Sequence, residues 1–156
     1  MTIHLVQFKP EIPQNTINIM RTCVGGNIKL HLIKPLGFIL DEEHIKAAGV
    51  DFISQLDYKI YENWHDFLTK NSEGQFYFCT QNGRRTHTEI NFSDRSLEHY
   101  ILLGAESTGF PIEILTPHLE KSFRVPMKDN VCSLNVSSVG AVVAYEALRQ
   151  QSFSNL

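Results

Sequence analysis

Two rhythms of apolar and polar positions alternate along the chain. Residues 3–8 (IHLVQF) form a β-branched apolar run of strand length, and residues 28–35 (IKLHLIKP), 58–63 (YKIYEN), 75–80 (QFYFCT), 100–106 (YILLGAE) and 122–127 (SFRVPM) read the same way. Between these runs the period lengthens. Ile17, Met20, Cys23 and Val24 recur at helical spacing. They predict a helix capped by Asn15 or Thr16 and stopped at Gly25-Gly26. Residues 41–49 (DEEHIKAAG) predict a helix with an acidic first turn and a glycine stop. Residues 64–71 (WHDFLTKN) and 111–118 (PIEILTPH) predict two short helices, the second with Pro111 in its first turn. A polar loop over 126–138 then gives way to an apolar closing helix.

Strands alternating with helices predict an α/β fold, a mostly parallel sheet with helices on both faces. In such sheets ligands bind outside the carboxyl ends of the strands. The loops over 10–18, 80–86, 104–111 and 126–138 are therefore the informative ones. A chain of 156 residues suits one domain, expected to span residues 1–156. It contains no internal repeat or low-complexity tract.

Composition acts mainly by exclusion. Hydrophobic residues make up 42% and charged residues 20%, an ordinary globular balance. The formal net charge of −3 argues against nonspecific coating of nucleic acid. It leaves room for a local basic face, for which Arg84, Arg85, Arg124 and Lys128 are the candidates. Cys23, Cys79 and Cys132 are odd in number and lack metal-finger spacing, as expected of free thiols in a reducing cytoplasm. The first residues carry no secretory signal pattern, and no run approaches ~18 apolar residues, so no membrane association is expected. The histidines show no H-E-x-x-H spacing, so no metal site is expected, and no G-x-S-x-G elbow marks a hydrolase serine.

Three segments carry candidate chemistry. EIPQNTINIMR (11–21) sets Asn15, Asn18 and Arg21 three residues apart on a helix. LLGAESTGFP (102–111) is a strand followed by a turn with Gly104, Gly109 and one carboxylate, Glu106. SLNVSS (133–138) clusters hydrogen-bonding side chains at a helix start, where free N–H groups also bind polar ligands. Each has an ordinary structural reading: a capped helix, a tight turn, a capping cluster.

In order along one chain, the three resemble the motifs of the SPOUT superfamily, SpoU branch, over nearly its whole length. Members are S-adenosylmethionine-dependent RNA 2′-O-methyltransferases. PEIPQNT, LIKPLGF and VVAYEALRQ further resemble the members that methylate the wobble nucleotide, position 34, of leucine tRNAs. The resemblance implies a C-terminal deep trefoil knot, an exception to the general absence of knots. It implies S-adenosyl-L-methionine as donor, S-adenosyl-L-homocysteine as product, no metal, tRNA as partner, and a homodimer with active sites at the subunit interface. It places the donor against Cys79, Leu103, Gly104, Val125, Ser133, Leu134 and Ser138. It gives catalytic roles to Arg21, Asn15, Glu106 and Asn135, and puts the last helix in the dimer interface. Val139, Val142, Val143 and Ala147 form a fitting apolar stripe there. The family pattern has Gly where this chain has Ile17, and the wobble-type members often have Arg at Thr108. The same chemistry on another RNA, and a non-catalytic flavodoxin-like ligand-binding module, are the competing readings.

Overall fold

A computed structural model describes residues 2–48 and 51–156. The strands are β1 (Ile3–Phe8), β2 (Lys29–Ile33), β3 (Tyr58–Tyr61), β4 (Gln75–Cys79), β5 (Arg85–Thr86), β6 (His99–Leu103) and β7 (Ser122–Arg124). The helices are α1 (Pro13–Gly25), α2 (Glu42–Ala47), α3 (Trp64–Lys70), α4 (Ile112–Leu115) and α5 (Val136–Gln150). One seven-stranded sheet runs in the order β3-β2-β1-β6-β4-β7-β5. Every paired strand in it is parallel. Parallel pairing puts all carboxyl ends on one edge. The chain winds outward from β1 through β2 to β3, while β6 pairs with β1 on its other side, so the switch point lies between β1 and β6.

The period-2 alternation of the strands explains the two cores. Leu5, Ile101 and Leu103 face the cluster that holds Ile19, Met20 and Cys23 of α1 and Val143, Ala144, Ala147 and Leu148 of α5. Val6, Phe8, Tyr100 and Leu102 face the other cluster, with Phe67 of α3 and Phe76 and Phe78 of β4. Gly140 lets α5 lie close: a Cβ there would come within 3.1 Å of Leu103 Cδ1 and 3.6 Å of Ile19 Cγ1.

Several expected boundaries move, each for a local reason. The helix expected to be capped by Asn15 or Thr16 begins at Pro13, with Ile12 as N-cap and no side-chain cap of its own. Both expected cap residues lie inside the helix and are buried. The helix over 41–49 is observed as α2, with Asp41 Oδ1 accepting from His44 N at 2.8 Å; its glycine stop, Gly49, lies outside the described residues. Pro111 is the N-cap of α4 rather than a first-turn residue. β5, only two residues long and paired with β7 alone, lies in the stretch expected to be loop. The stripe on α5 divides: Val143 and Ala147 are consumed by the chain's own core and Val139 packs partly against it, while Val142 stays 44% exposed; Tyr145, outside the stripe, is 43% exposed. No helix of the described residues is long and apolar enough to cross a membrane.

Candidate functional site

The loops after β1 and β6 meet at the switch point. After β1, Lys9 adopts a positive φ and Pro13 opens α1. The helix start draws its cap from a distant segment: Glu106 Oε2 accepts from Glu11 N at 2.8 Å and Oε1 from Ile12 N at 3.2 Å. A carboxylate suits the positive end of the α1 dipole. After β6, the turn closes on itself, with Gly109 N donating to Ala105 O at 2.8 Å and Ala105 N to Gly109 O at 3.1 Å. Both glycines are required. Gly109 has φ +65°, and a Cβ on Gly104 would sit 2.8 Å from Gly109 Cα. The missing side chain of Gly104 admits the backbone of Gly109.

The third segment joins them through Asn135, the N-cap of α5. Its Oδ1 accepts from Ser137 N at 2.9 Å, Ser138 N at 3.4 Å and Ser137 Oγ at 2.5 Å. Its Nδ2 donates to Asn15 Oδ1 at 2.9 Å, and Asn15 Nδ2 donates to Glu106 Oε1 at 3.4 Å. Both amides are thus fixed in one orientation. The carboxylate can only accept, so Asn15 must turn its NH₂ to Glu106 and its oxygen to Asn135.

Beside this network opens a cavity of about 580 Å³, at the carboxyl ends of β4, β6 and β7. Its size falls in the range of small-molecule sites, about 300–1,000 Å³. Among the expected donor residues, Cys79, Leu103, Gly104, Val125, Ser133 and Leu134 line it, together with Asn15, Glu106 and Asn135. Ser138 does not line it; it lies past the cap, exposed on the first turn of α5. Nor does Arg21, which is exposed two turns along α1 with its guanidinium 5.0 Å from the centroid of the Phe52 ring. Thr80, Gln81, Asn82 and Met127 line the cavity without having been singled out; Arg124, a basic-face candidate at the end of β7, lines it too. The only sequence signal of the first four was their place in loops that follow strands.

The chemistry of the wall is polar but not nucleophilic. Burial pushes the Cys79 thiol up to about 12, so it stays protonated at neutral pH. Arg124 Nη1 donates to Gly83 O at 2.8 Å, which turns this basic side chain to holding the loop before β5. Arg84 is paired with Glu120. Two of the expected basic-face residues are therefore engaged within the chain. Ile17, in place of the family's Gly, stays helical and lines a second, apolar cavity of about 280 Å³ with Phe38, Ile39, Leu40 and Ile45. Among the described residues no group of three His, Cys, Asp or Glu is placed to hold a metal ion.

Comparison with known proteins bears on the family and the fold. The family model described as SpoU rRNA Methylase family matches residues 2–145. A protein of Listeria innocua, named provisionally as a tRNA (cytidine(34)-2′-O)-methyltransferase, is 44% identical over 156 residues, covering 100% of this chain and 92% of its own. The crystal structure of a provisionally assigned RNA methyltransferase from Bacillus anthracis superposes with a TM-score of 0.96 at 39% identity, covering 99% of this chain and 97% of that one. A structure from work on the 2-OH methylation of C/U34 on tRNA superposes with a TM-score of 0.87 at 35% identity, covering 96% of each chain.

Proposed function

The chain belongs to the SpoU methylase family, and from that premise we propose that it methylates the ribose 2′-hydroxyl of nucleotide 34, a cytidine or modified uridine, in the anticodon loop of leucine tRNA. The observation that carries the proposal is the cavity walled by the Asn135–Asn15–Glu106 network, because all three motif segments converge on it. The names of the relatives supply the tRNA position. The leucine isoacceptors rest on the sequence resemblance. We place this activity in the cytoplasm.

The cavity fits S-adenosyl-L-methionine in size and in lining. Backbone groups of Leu103, Gly104 and Val125 and the segment 133–135 would hold the donor beside apolar Leu134 and Val139. When bound, the donor supplies a methyl group on a positively charged sulfur, whose leaving group is a neutral thioether. The protein's own part is alignment, which can supply on the order of 7–11 kcal/mol when reacting groups are held in line.

The hydrogen bonds divide the labour. Asn135, Asn15 and Glu106 have their polar ends committed to one another and to helix starts, so they act as positioning residues. Glu106 orients the backbone of the β1–α1 loop, not Arg21. Arg21 is exposed, and its guanidinium offers five N–H donors in a fixed fork and no acceptor. It is suited to clamp an RNA phosphate and to orient the hydroxyl.

We further propose a homodimer. The apolar residues left on the outside of α5, Val142 and Tyr145, support it. So does the placement of Arg21 outside the cavity of its own chain, where a partner's site can use it. We propose too, from the sequence resemblance, that the C-terminal segment is threaded as a trefoil knot. The test is transfer of labelled methyl to leucine tRNAs carrying a normal or a 2′-deoxy ribose at position 34. Transfer to the normal tRNA alone is expected; undiminished transfer to the deoxy tRNA removes the wobble ribose as target.

A further inference from the structure

One carboxylate with no role assigned to it, Glu11 at the head of the first motif segment, is engaged at both its backbone and its side chain. Glu11 N donates to Glu106 Oε2 at 2.8 Å. In return, Glu11 Oε1 accepts from Ser107 Oγ at 2.7 Å and from Ser107 N at 3.3 Å. The bonds run in opposite directions between the same two loops, so each carboxylate grips the main chain of the other's loop. A third loop closes the space behind Glu11. Gly37 N donates to Pro10 O at 2.8 Å, and a Cβ on Gly37 would sit 2.8 Å from both Glu11 Cα and Glu11 O. With Gly37 seated against it, the Glu11 backbone has little room to retreat. Ser107 and Glu106 line the cavity; Asn15 stands four residues beyond Glu11 on α1.

Resting on the methyltransferase reading, we infer that Glu11 is a positioning residue for methyl transfer. Its clasp on Ser107 fixes the donor-side loop against the RNA-side helix. The role needs an acceptor oxygen at the length of a glutamate side chain, and it does not need the charge. It follows that Glu11→Gln keeps the clasp, since the amide oxygen still accepts from Ser107. Glu11→Asp, one methylene shorter, and Glu11→Ala both lose it. Misplacement of about 1 Å at an aligned site costs about 100-fold in rate.

The test measures kcat, the KM for leucine tRNA and the affinity for S-adenosyl-L-homocysteine in these three variants of the full chain, together with amide hydrogen exchange at Ser107. Glu11→Ala and Glu11→Asp are expected to lower kcat by about 100-fold, while KM and product affinity change much less. Glu11→Gln is expected to restore kcat to near the parent's. Ser107 exchange should quicken in the Ala and Asp variants and return to the parent rate in the Gln variant. Adding Ser107→Ala to Glu11→Ala should cost little more, because the contact is already gone. A Gln variant as slow as the Ala variant, or an Ala variant with the parent's kcat, overturns the inference. If the parent chain moves no methyl group to any tRNA, the functional reading has failed, and the exchange data alone judge the clasp. Faster Ser107 exchange in Glu11→Ala with recovery in Glu11→Gln upholds it, and unchanged exchange overturns it.

Discussion

Asn135 donates to Asn15 across 120 residues of sequence, at 2.9 Å, and in doing so fixes which way both amides point. The oxygen of Asn135 caps α5, its nitrogen reaches the first turn of α1, and Asn15 passes the connection on to Glu106. Changing either amide to an isosteric carboxylate therefore separates functions that alanine would remove together.

Asn135→Asp keeps a good helix cap, since Asp and Asn cap about equally well, but it has no N–H for Asn15. Asn15 cannot compensate by flipping, because its oxygen would then face the Glu106 carboxylate. Asn135→Ala loses both the cap, worth about 1 kcal/mol, and the bridge. The expected outcome is that Asp retains more stability than Ala in urea unfolding, while both lose methyl transfer to a similar extent. Parent-like turnover in Asn135→Asp would show that the bridge does not matter to the reaction.

Gly104 and Gly109 should be intolerant for different reasons. Alanine at 104 meets the Gly109 backbone at 2.8 Å, an overpacking expected to cost about 1–3 kcal/mol. Alanine at 109 has open space but must adopt φ +65°, at about 1–2 kcal/mol. Urea unfolding of each variant, with S-adenosyl-L-homocysteine titrated calorimetrically, checks this. Donor affinity should fall more for 104, whose clash displaces the turn that lines the cavity. Equal affinities in the two variants would contradict the assignment.

The elements that could be read from sequence are those with a strong internal rhythm. β1, β4 and β6 alternate between two cores and were expected within a few residues of their observed bounds. The start of α1 could not be read, because its cap lies on Glu106, in another motif 95 residues away. β5 is too short for any period to appear. Site residues named in the three motifs line one cavity, with two exceptions. Ser138 follows Asn135 closely in sequence, yet the first turn of α5 carries it away from the cavity. Arg21 shares a helix with Asn15, but six residues on, about 9 Å along the axis, it stands beside Phe52.

A buried polar chain away from the cavity makes stability depend on pH. Tyr100 Oη donates to Asn71 Oδ1 at 3.0 Å, and Asn71 Nδ2 to Tyr61 Oη at 3.3 Å. His31 bridges Tyr61 Oη at 2.8 Å and His4 Nδ1 at 2.9 Å, and His4 Nε2 meets Glu98. With Glu98 ionised only one polarity satisfies every member: Tyr61 donates to His31, His31 to His4, and His4 to Glu98. Burial pushes His31 down to about 3, helped by His4, Lys29 and Lys59, and burial also lowers His4 against the pull of Glu98. The unfolded chain takes up these protons below about pH 6.5 while the folded chain resists, so stability falls as pH falls, for His31 over the window from there to about 3, with the lowered His4 adding to the fall. The slope approaches about 1.4 kcal/mol per pH unit for each histidine. Chemical unfolding between pH 4 and 8 should show this decline, and His31→Phe should flatten it while lowering stability at neutral pH. A parent whose stability is level across that range would rule it out.

If α5 forms the dimer contact, Val142→Glu should yield a folded monomer. Its side chain is 44% exposed in the single chain, so the change leaves the core intact. Val143→Glu, at a fully buried position, should instead unfold the protein. Light scattering and circular dichroism distinguish the two. A parent that is monomeric at micromolar concentration removes the dimer from the proposal.

Arg21 is the sharpest test of how labour is divided in the site. It lies outside the cavity, so Arg21→Ala should leave the affinity for S-adenosyl-L-homocysteine within about threefold of the parent's, a difference below ~0.7 kcal/mol, while abolishing methyl transfer. Arg21→Lys keeps the charge but loses the planar group that rests on Phe52 and can hold a phosphate in two places. It should recover tRNA binding in part and turnover hardly at all. Calorimetry with the product and single-turnover assays with leucine tRNA read these quantities separately. Loss of product affinity in Arg21→Ala on the scale of that in Gly104→Ala would place Arg21 on the donor side and refute the division.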